Sequence, residues 1–287
     1  MLRGKIISIV AADQKEAEGF AEALGKKKEE GKFYRKSGEE LLSILVPKAN
    51  EIFSLAEAVS LSDYFCFINR EVNKDEAEIA LLLESSNKDG CIASQDEDTF
   101  RKYFASFGIA KKVSDKKVDE SRIQNTKDLG FAYIDSAFIV KGVGPVILGF
   151  SFSGFRVHQK IKLLPSLKEA EIKSIQVLDE DYEEIGPGVR FGFALKGVEE
   201  KDLKASYAAV TDAVSTLSSK LKTYRLSLAQ DAQSLHAFFY GMKAFGNLEN
   251  DVLALSSQIP MADGRAILLN VNVQQGKLRV YGWGEPF

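Results

Sequence analysis

The chain has 287 residues, 45% of them hydrophobic and 28% charged, with only 6 prolines. That composition excludes disordered, collagenous and fibrous classes and predicts two or three folded domains. Its 38 Lys and Arg stand against 41 Asp and Glu, a net charge of −3, so no global positive field draws DNA and any nucleic-acid contact must use a local patch.

Short apolar runs alternate with charged, helix-like stretches from Lys5 to about Ser94, an α/β pattern. Residues 6–11 read as a strand. Residues 14–28 read as an amphipathic helix, with Ala17, Phe20, Ala21 and Leu24 at helical spacing and Asp13 as N-cap. Residues 33–34 and 41–46 pair through the Ser37-Gly38 turn, 51–59 is helical, 64–68 a strand and 75–85 helical. Residues 90–94 make a buried strand, and 96–107 a further helix with Phe100, Tyr103, Phe104 and Phe107 on one face. The pattern predicts an open sheet with helices on both faces. Cys66 and Cys91 both fall in apolar runs and are expected to be buried, inert thiols. Apolar runs such as 44–46 and 266–269 are far shorter than the roughly 18 residues of a membrane span. The opening residues run straight into a strand without an apolar leader, so a cytoplasmic protein with no membrane partner is expected. The run Lys111-Lys112-Val113-Ser114-Asp115-Lys116-Lys117 is polar and aperiodic, and with the residues up to Lys127 predicts an exposed connection.

Past Lys127 the texture turns to glycine-punctuated β. Runs at 137–140, 146–150, 160–164, 172–178 and 191–195 predict a small barrel or sandwich over 131–205. Runs at 223–229, 237–242, 265–273 and 278–283 predict a second barrel over 206–287. The expected organisation is an α/β domain at 1–130 followed by these two all-β barrels.

The stretch Ala137-Phe138-Ile139-Val140-Lys141-Gly142-Val143-Gly144-Pro145-Val146-Ile147-Leu148-Gly149 resembles the opening of domain 2 in translational GTPases of the elongation factor Tu class. The resemblance continues in order through Ser153-Gly154, 157–165, Ile172-Lys173-Ser174-Ile175-Gln176, Gly186-Pro187-Gly188-Val189-Arg190-Phe191-Gly192 and Ala194-Leu195-Lys196-Gly197-Val198. Its wording is most similar to the selenocysteine-specific factors, SelB, and Leu278-Arg279-Val280-Tyr281-Gly282-Trp283-Gly284 is similar to the last strand of their domain 3. The resemblance implies that the first domain is GTPase-like and the barrels are elongation-factor domains 2 and 3.

The nucleotide motifs are missing from that first domain. A phosphate loop needs Gly-x-x-x-x-Gly-Lys-Ser/Thr between first strand and first helix, so that amides and a lysine cradle the phosphates. Here stands Val10-Ala11-Ala12-Asp13-Gln14-Lys15, without glycine and with a carboxylate that repels phosphate. The magnesium-side Asp-x-x-Gly is replaced by Pro47-Lys48-Ala49-Asn50. Of the guanine-reading Asn-Lys-x-Asp, only Asp98 survives in Gln95-Asp96-Glu97-Asp98. The chain reads as a degenerate, pseudo-GTPase member of its class with no catalytic residue, cofactor or metal site. The two histidines, His158 and His236, lie near no cysteine, and no Gly-x-Ser-x-Gly elbow follows a strand.

Three functions stand open. The first is a factor binding tRNA or another RNA of the translation machinery, since in the resembled family domain 2 receives the aminoacylated 3′ end and domain 3 the adjoining stem. The RNA-binding candidates are then Arg156, His158, Lys160, Arg190 and Lys196 in the first barrel and Lys220, Lys222, Arg225 and His236 in the second, pairing phosphates or stacking on bases. Each is also readable as an ordinary exposed barrel charge. The second function is a protein-interaction scaffold that competes with or assists a true translation factor on the ribosome. The third is an intact enzyme or GTPase of unrecognised design.

Overall fold

A computed structural model of the chain describes residues 1–287 except 115–117, 119, 125 and 215. The first domain runs β1 (Arg3–Ala11), α1 (Gln14–Leu24), β2 (Lys26–Glu29), β3 (Lys32–Ser37), β4 (Glu40–Leu45), α2 (Ile52–Leu61), β5 (Tyr64–Asn69), α3 (Lys74–Ser86), β6 (Asp89–Ser94) and α4 (Glu97–Tyr103). Its sheet has the order β2-β3-β4-β1-β5-β6, with β4, β1, β5 and β6 parallel. Side chains alternate along β1 and divide the core. Ile7 and Ile9 meet Ala17 and Ala21 of α1 on one face, while Ile6 and Val10 meet the apolar sides of α2 and α3 on the other. Cys66 and Cys91 are buried, opposite each other in register across β5 and β6.

Two helices end earlier than their periodicity predicts. The chain leaves α1 at Leu24, because Gly25 passes so close to the sheet that a Cβ there would lie 2.9 Å from the Ile44 side chain. Residues 26–29 then add an edge strand to β3. The helix expected over 96–107 stops at Tyr103. The Glu84 carboxylate accepts the Gly108 and Ile109 amides at 3.1 and 2.7 Å and fixes a tighter turn there. Phe104 still packs on Phe100 at 4.6 Å. The connection expected to be exposed is instead anchored at Val113, which bridges to Ile92, and at buried Ile123 and Thr126. Residues 115–117 of that expectation lie outside the described residues.

The second domain runs β7 (Phe131–Val140), β8 (Gly144–Phe152), β9 (Phe155–Arg156), β10 (Lys160–Leu164), β11 (Lys168–Val177), β12 (Glu180–Tyr182), β13 (Glu184–Ile185), β14 (Arg190–Lys196), α5 (Glu200–Lys204) and β15 (Ala208–Val210). Its sheet order is β10-β15-β7-β8-β14-β11-β12, and a β10–β11 pairing returns the sheet on itself. Because β15 pairs with β7 and β10, this barrel extends past the boundary expected between residues 205 and 206. Ala208-Ala209-Val210 is too short a run to show any period. The third domain is a closed barrel of β16 (Leu217–Arg225), β17 (Ser234–Phe239), β18 (Met242–Glu249), β19 (Val252–Pro260), β20 (Ala266–Leu269) and β21 (Val280–Pro286). The run expected as one strand over 237–242 breaks at Tyr240-Gly241, both at positive φ. Asn250 and Asp251, also at positive φ, turn β18 into β19. No helix among the described residues is long and apolar enough to cross a membrane.

One apolar core passes through all three domains, from α2 and α3 through Phe131, Phe150 and Phe152 into the third barrel. Tyr240 of the third barrel packs edge-on against Phe131 and Phe152, at 5.6 and 4.9 Å. The Gly186-Pro187-Gly188 turn, a turn signal in sequence, is the dock for the N-terminal strand. Gly4 N donates to Pro187 O at 2.8 Å and Gly186 N to Leu2 O at 2.7 Å. At this crossing a Cβ on Gly4 would stand 1.9 Å from Gly188 O, so only glycine fits. Gly4→Ala is therefore expected to lower stability by about 2 kcal/mol or more in urea melts. Gly19→Ala on α1, where a Cβ meets nothing within 4 Å, should raise it by about 0.5–1 kcal/mol. A neutral Gly4→Ala would contradict the dock.

Candidate functional site

In an open parallel sheet, ligands bind beyond the C-terminal ends of the strands. Here that edge carries the β1–α1 turn, the loop after β4 and the loop after β6. At the first turn, Asp13 Oδ1 accepts the Lys15 and Glu16 amides at 2.9 and 3.4 Å, so the exposed donors of the helix N-terminus are filled by the chain's own carboxylate. Arg70, following β5, then covers this corner, with Nε 2.9 Å from Glu16 and Nη2 3.5 Å from Asp13. The loop after β4 is tied to α1, Ala49 N donating to Gln14 Oε1 at 2.7 Å. After β6, Asp96 caps α4 by accepting the Thr99 amide at 3.0 Å, and Asp98 lies exposed in the first turn. Among the described residues no group of three or more His, Cys, Asp or Glu could hold a metal ion.

The nine basic candidates divide into three sets. Arg190 and His236 are structural. The Arg190 side chain is only 6% exposed, its guanidinium 2.9 Å from the Asp135 carboxylate and 3.2 Å from Glu29. Lys32 joins both carboxylates, at 3.0 and 2.9 Å. Burial pushes the Glu29 carboxyl up, but Arg190 and Lys32 outweigh it and hold it at about 2. The expectation that Arg190 is offered to RNA is thus corrected: a guanidinium cannot be buried unpaired, and this one clasps the first domain to the second. The His236 ring packs on Phe53 of α2 at 4.8 Å and on Phe245 at 5.2 Å, its Nδ1 buried without a hydrogen bond. Burial, with Lys243 nearby, pushes its pKa down, so it is a neutral ring between domains one and three rather than a platform for a splayed base.

Arg156, His158, Lys160 and Lys196 do lie on the outside of the second barrel, the first three along an open groove of about 930 Å³. Carboxylates are threaded among them. Lys160 pairs with Glu169 at 2.8 Å, and Glu171 takes both Lys196 at 2.8 Å and His158 at 3.0 Å. Arg156 has no carboxylate within 4.0 Å among the described residues. This face is nearly neutral.

The third set lies on β16. Lys220, Lys222 and Tyr224 alternate outward, neither lysine has an ion pair among the described residues, and Lys222 lies 5.5 Å from the Tyr224 ring centroid. Tyr224 stacks on Trp283 of β21 at 5.3 Å and 12°, and Arg265 covers the indole at 4.1 Å. Arg225, on the opposite side of the strand, is engaged by Asp231 at 2.6 Å. Sequence reasoning found the lysines and missed Tyr224, Trp283 and Arg265. The Lys-x-Lys-x-Tyr alternation was legible, but the Trp283 indole and the Arg265 guanidinium that complete the face lie 40 or more residues away.

Arg190→Met should cost about 3 kcal/mol by leaving the half-exposed Glu29 and the largely buried Asp135 to share Lys32 alone. The sign of its pH dependence follows from Glu29, whose lowered pKa contributes stability above its ordinary 4.5 that is lost as pH falls toward about 2. Urea melts are expected to show a wild-type advantage at pH 7 that narrows at about pH 3; an equal gap at both would refute the clasp.

No known family profile matches the chain. It is similar over 71 residues to an uncharacterised protein of Methanocaldococcus jannaschii, 45% identical and covering 24% of this chain and 23% of that one. It is 41% identical over 71 residues to the selenocysteine-specific elongation factor of the same organism, 24% of this chain and 15% of that protein. Elongation factor 1-alpha of Metallosphaera sedula is 36% identical over 72 residues, 25% of this chain and 17% of that factor. These matches therefore span less than a quarter of the relatives' own length. Among solved structures, a bacterial selenocysteine-specific factor superposes with a TM-score of 0.77 at 13% identity, over the whole of this chain and 58% of that one. SelB of Methanococcus maripaludis with a GTP analogue gives 0.75 at 15% identity, covering 100% and 80%. From end to end the chain has the fold of the SelB-type translational GTPases, and part of its sequence resembles theirs.

Proposed function

We propose that this protein is an elongation-factor-like body without a working nucleotide switch, and that it holds tRNA or another component of translation on its barrels. The observation that carries the reading is the self-occupied α1 N-terminus. A phosphate arriving there would have to displace the Asp13 carboxylate from the amides and then lie beside Asp13 and Glu16, whose two negative charges the single Arg70 only partly offsets. The loop after β4, where the magnesium-side motif would stand, is held by Gln14, and the loop after β6, where guanine would be read, by the Asp96 cap. The Arg190 cluster, the Gly4 crossing and the Phe53–His236 contact fix the domains in one arrangement.

For RNA, the unpaired Lys220 and Lys222 beside the Tyr224–Trp283 stack favour the third barrel, where cations meet phosphates and exposed aromatic edges meet bases or sugars. A second reading, a protein-interaction scaffold, is favoured by the neutral groove of the second barrel, whose interleaved carboxylates suit polar protein contacts better than a phosphate backbone.

Two measurements decide. Isothermal titration with GTP or GDP and magnesium is expected to show no micromolar binding, and such binding would sink the switchless reading. Filter binding with total tRNA is expected to show retention at low salt. Removing Lys220 and Lys222 together as alanines should weaken binding and flatten the log–log salt slope by roughly 1.5–2. If the wild-type protein retains no RNA at low salt, the RNA reading fails and the scaffold stands.

A further inference from the structure

Where the three domains meet there is a cavity of about 350 Å³, at the N-terminal ends of β5 and β6 and so at the opposite pole of the first sheet from the β1–α1 turn. Its charges do not balance locally. Lys88 is delivered to it by Asn87, which ends α3 in the left-handed region at φ 53°. The Lys88 ammonium lies 4.8 Å from the Tyr240 ring centroid and has no carboxylate within 4.0 Å among the described residues. Lys127, exposed at the mouth, likewise has no ion pair there. Burial disfavours the Lys88 charge and Lys127 adds repulsion, while Asp63 pulls the other way.

The acids of the walls offset only part of this charge. Asp63 Oδ2 accepts the Ile6 amide at 2.9 Å and the Thr126 hydroxyl at 2.5 Å, and burial pushes its carboxyl up to about 6 against the pull of Thr126 and Lys88. Asp89 is bound by Arg122 at 2.8 and 3.1 Å and faces Lys112 at 3.5 Å. Asp263 stands exposed at the rim, and Arg265 leans away toward Glu285 and Trp283. The walls thus hold Lys88, Arg122, Lys127 and Arg265 against Asp63, Asp89 and Asp263, an excess of positive charge that matches a small anion, and the space suits a small molecule rather than a polymer.

We propose that this three-domain junction is an anion site for a small phosphate-bearing molecule, held by Lys88 and Lys127 over the Tyr240 ring. Such a ligand would touch the first domain, the connecting segment and the third barrel at once, and so would stabilise their docking by mass action. The proposal is independent of what the barrels carry.

The test titrates the full chain with inorganic phosphate and, separately, with glycerol phosphate, following melting temperature and calorimetric heat against sodium chloride at matched ionic strength. Saturable stabilisation by phosphate beyond that of chloride is expected. Lys88→Met, which keeps the apolar stem, and Lys127→Ala should each weaken it about tenfold or more, while Lys26→Ala on exposed β2 should match wild type. If Lys88→Met does not fold, Lys127→Ala at its exposed position decides. Tighter binding of glycerol phosphate than of inorganic phosphate would make an organic ester the ligand, and equal binding would make it phosphate itself. Phosphate acting no differently from chloride, or binding undiminished in the folded variants, overturns the site.

Discussion

The buried guanidinium of Arg190 needs its carboxylates, and much of the arrangement follows from that need. Asp135 comes from the same barrel, but Glu29 comes from the edge strand of the first domain, and Lys32 completes the square from the next strand. Moving the second domain away would break the Arg190–Glu29 and Lys32–Asp135 pairs that cross between the domains. The Gly4–Gly188 crossing adds a constraint of shape to this constraint of charge, since the two backbones approach more closely than any side chain permits. The edge strand β2, which lengthens the sheet beyond what the sequence pattern suggests, exists where Glu29 is required.

The same logic of satisfied groups runs through the first domain. A helix N-terminus that faces a strand edge is a ready-made anion site, and here an aspartate of the chain fills it. Arg70 then pairs with both the aspartate and Glu16, leaving the corner with a net negative charge that does not favour an anion. The loop after β4 is tied to the same corner through Ala49 and Gln14.

The outer surfaces differ in the opposite way. On the second barrel every exposed cation of the predicted patch except Arg156 has found a carboxylate one or two strands away. On the third barrel Lys220 and Lys222 have not, and they lie beside stacked rings. At the junction of all three domains Lys88 and Lys127 have no carboxylate within 4.0 Å among the described residues either. The open face with Lys220 and Lys222 and the enclosed junction with Lys88 and Lys127 differ in shape and so suit different ligands.

Much of the fold was legible because it is written locally. Asp13 as N-cap, the Ser37-Gly38 hairpin, the alternating strands of the second domain and the loss of the phosphate loop all depend on residues within a few positions of one another. Periodicity failed where distant contacts intervened: at Gly25, pressed against Ile44, at Tyr103, where Glu84 holds the following turn, and at 208–210, too short to show a pattern. The site was less legible still. Sequence identified Arg190 by its motif and its charge, yet its partner Glu29 is 161 positions away, and Tyr224 meets Trp283 only across the seam of a closed barrel. A side chain's type and its place on a strand are fixed by its neighbours in the chain, so sequence alone determined the elements and the missing nucleotide motifs. Whether a charge is buried, paired or free is fixed by neighbours in space, because Coulomb attraction and desolvation act over a few ångströms regardless of chain distance, and only the tertiary structure decided that.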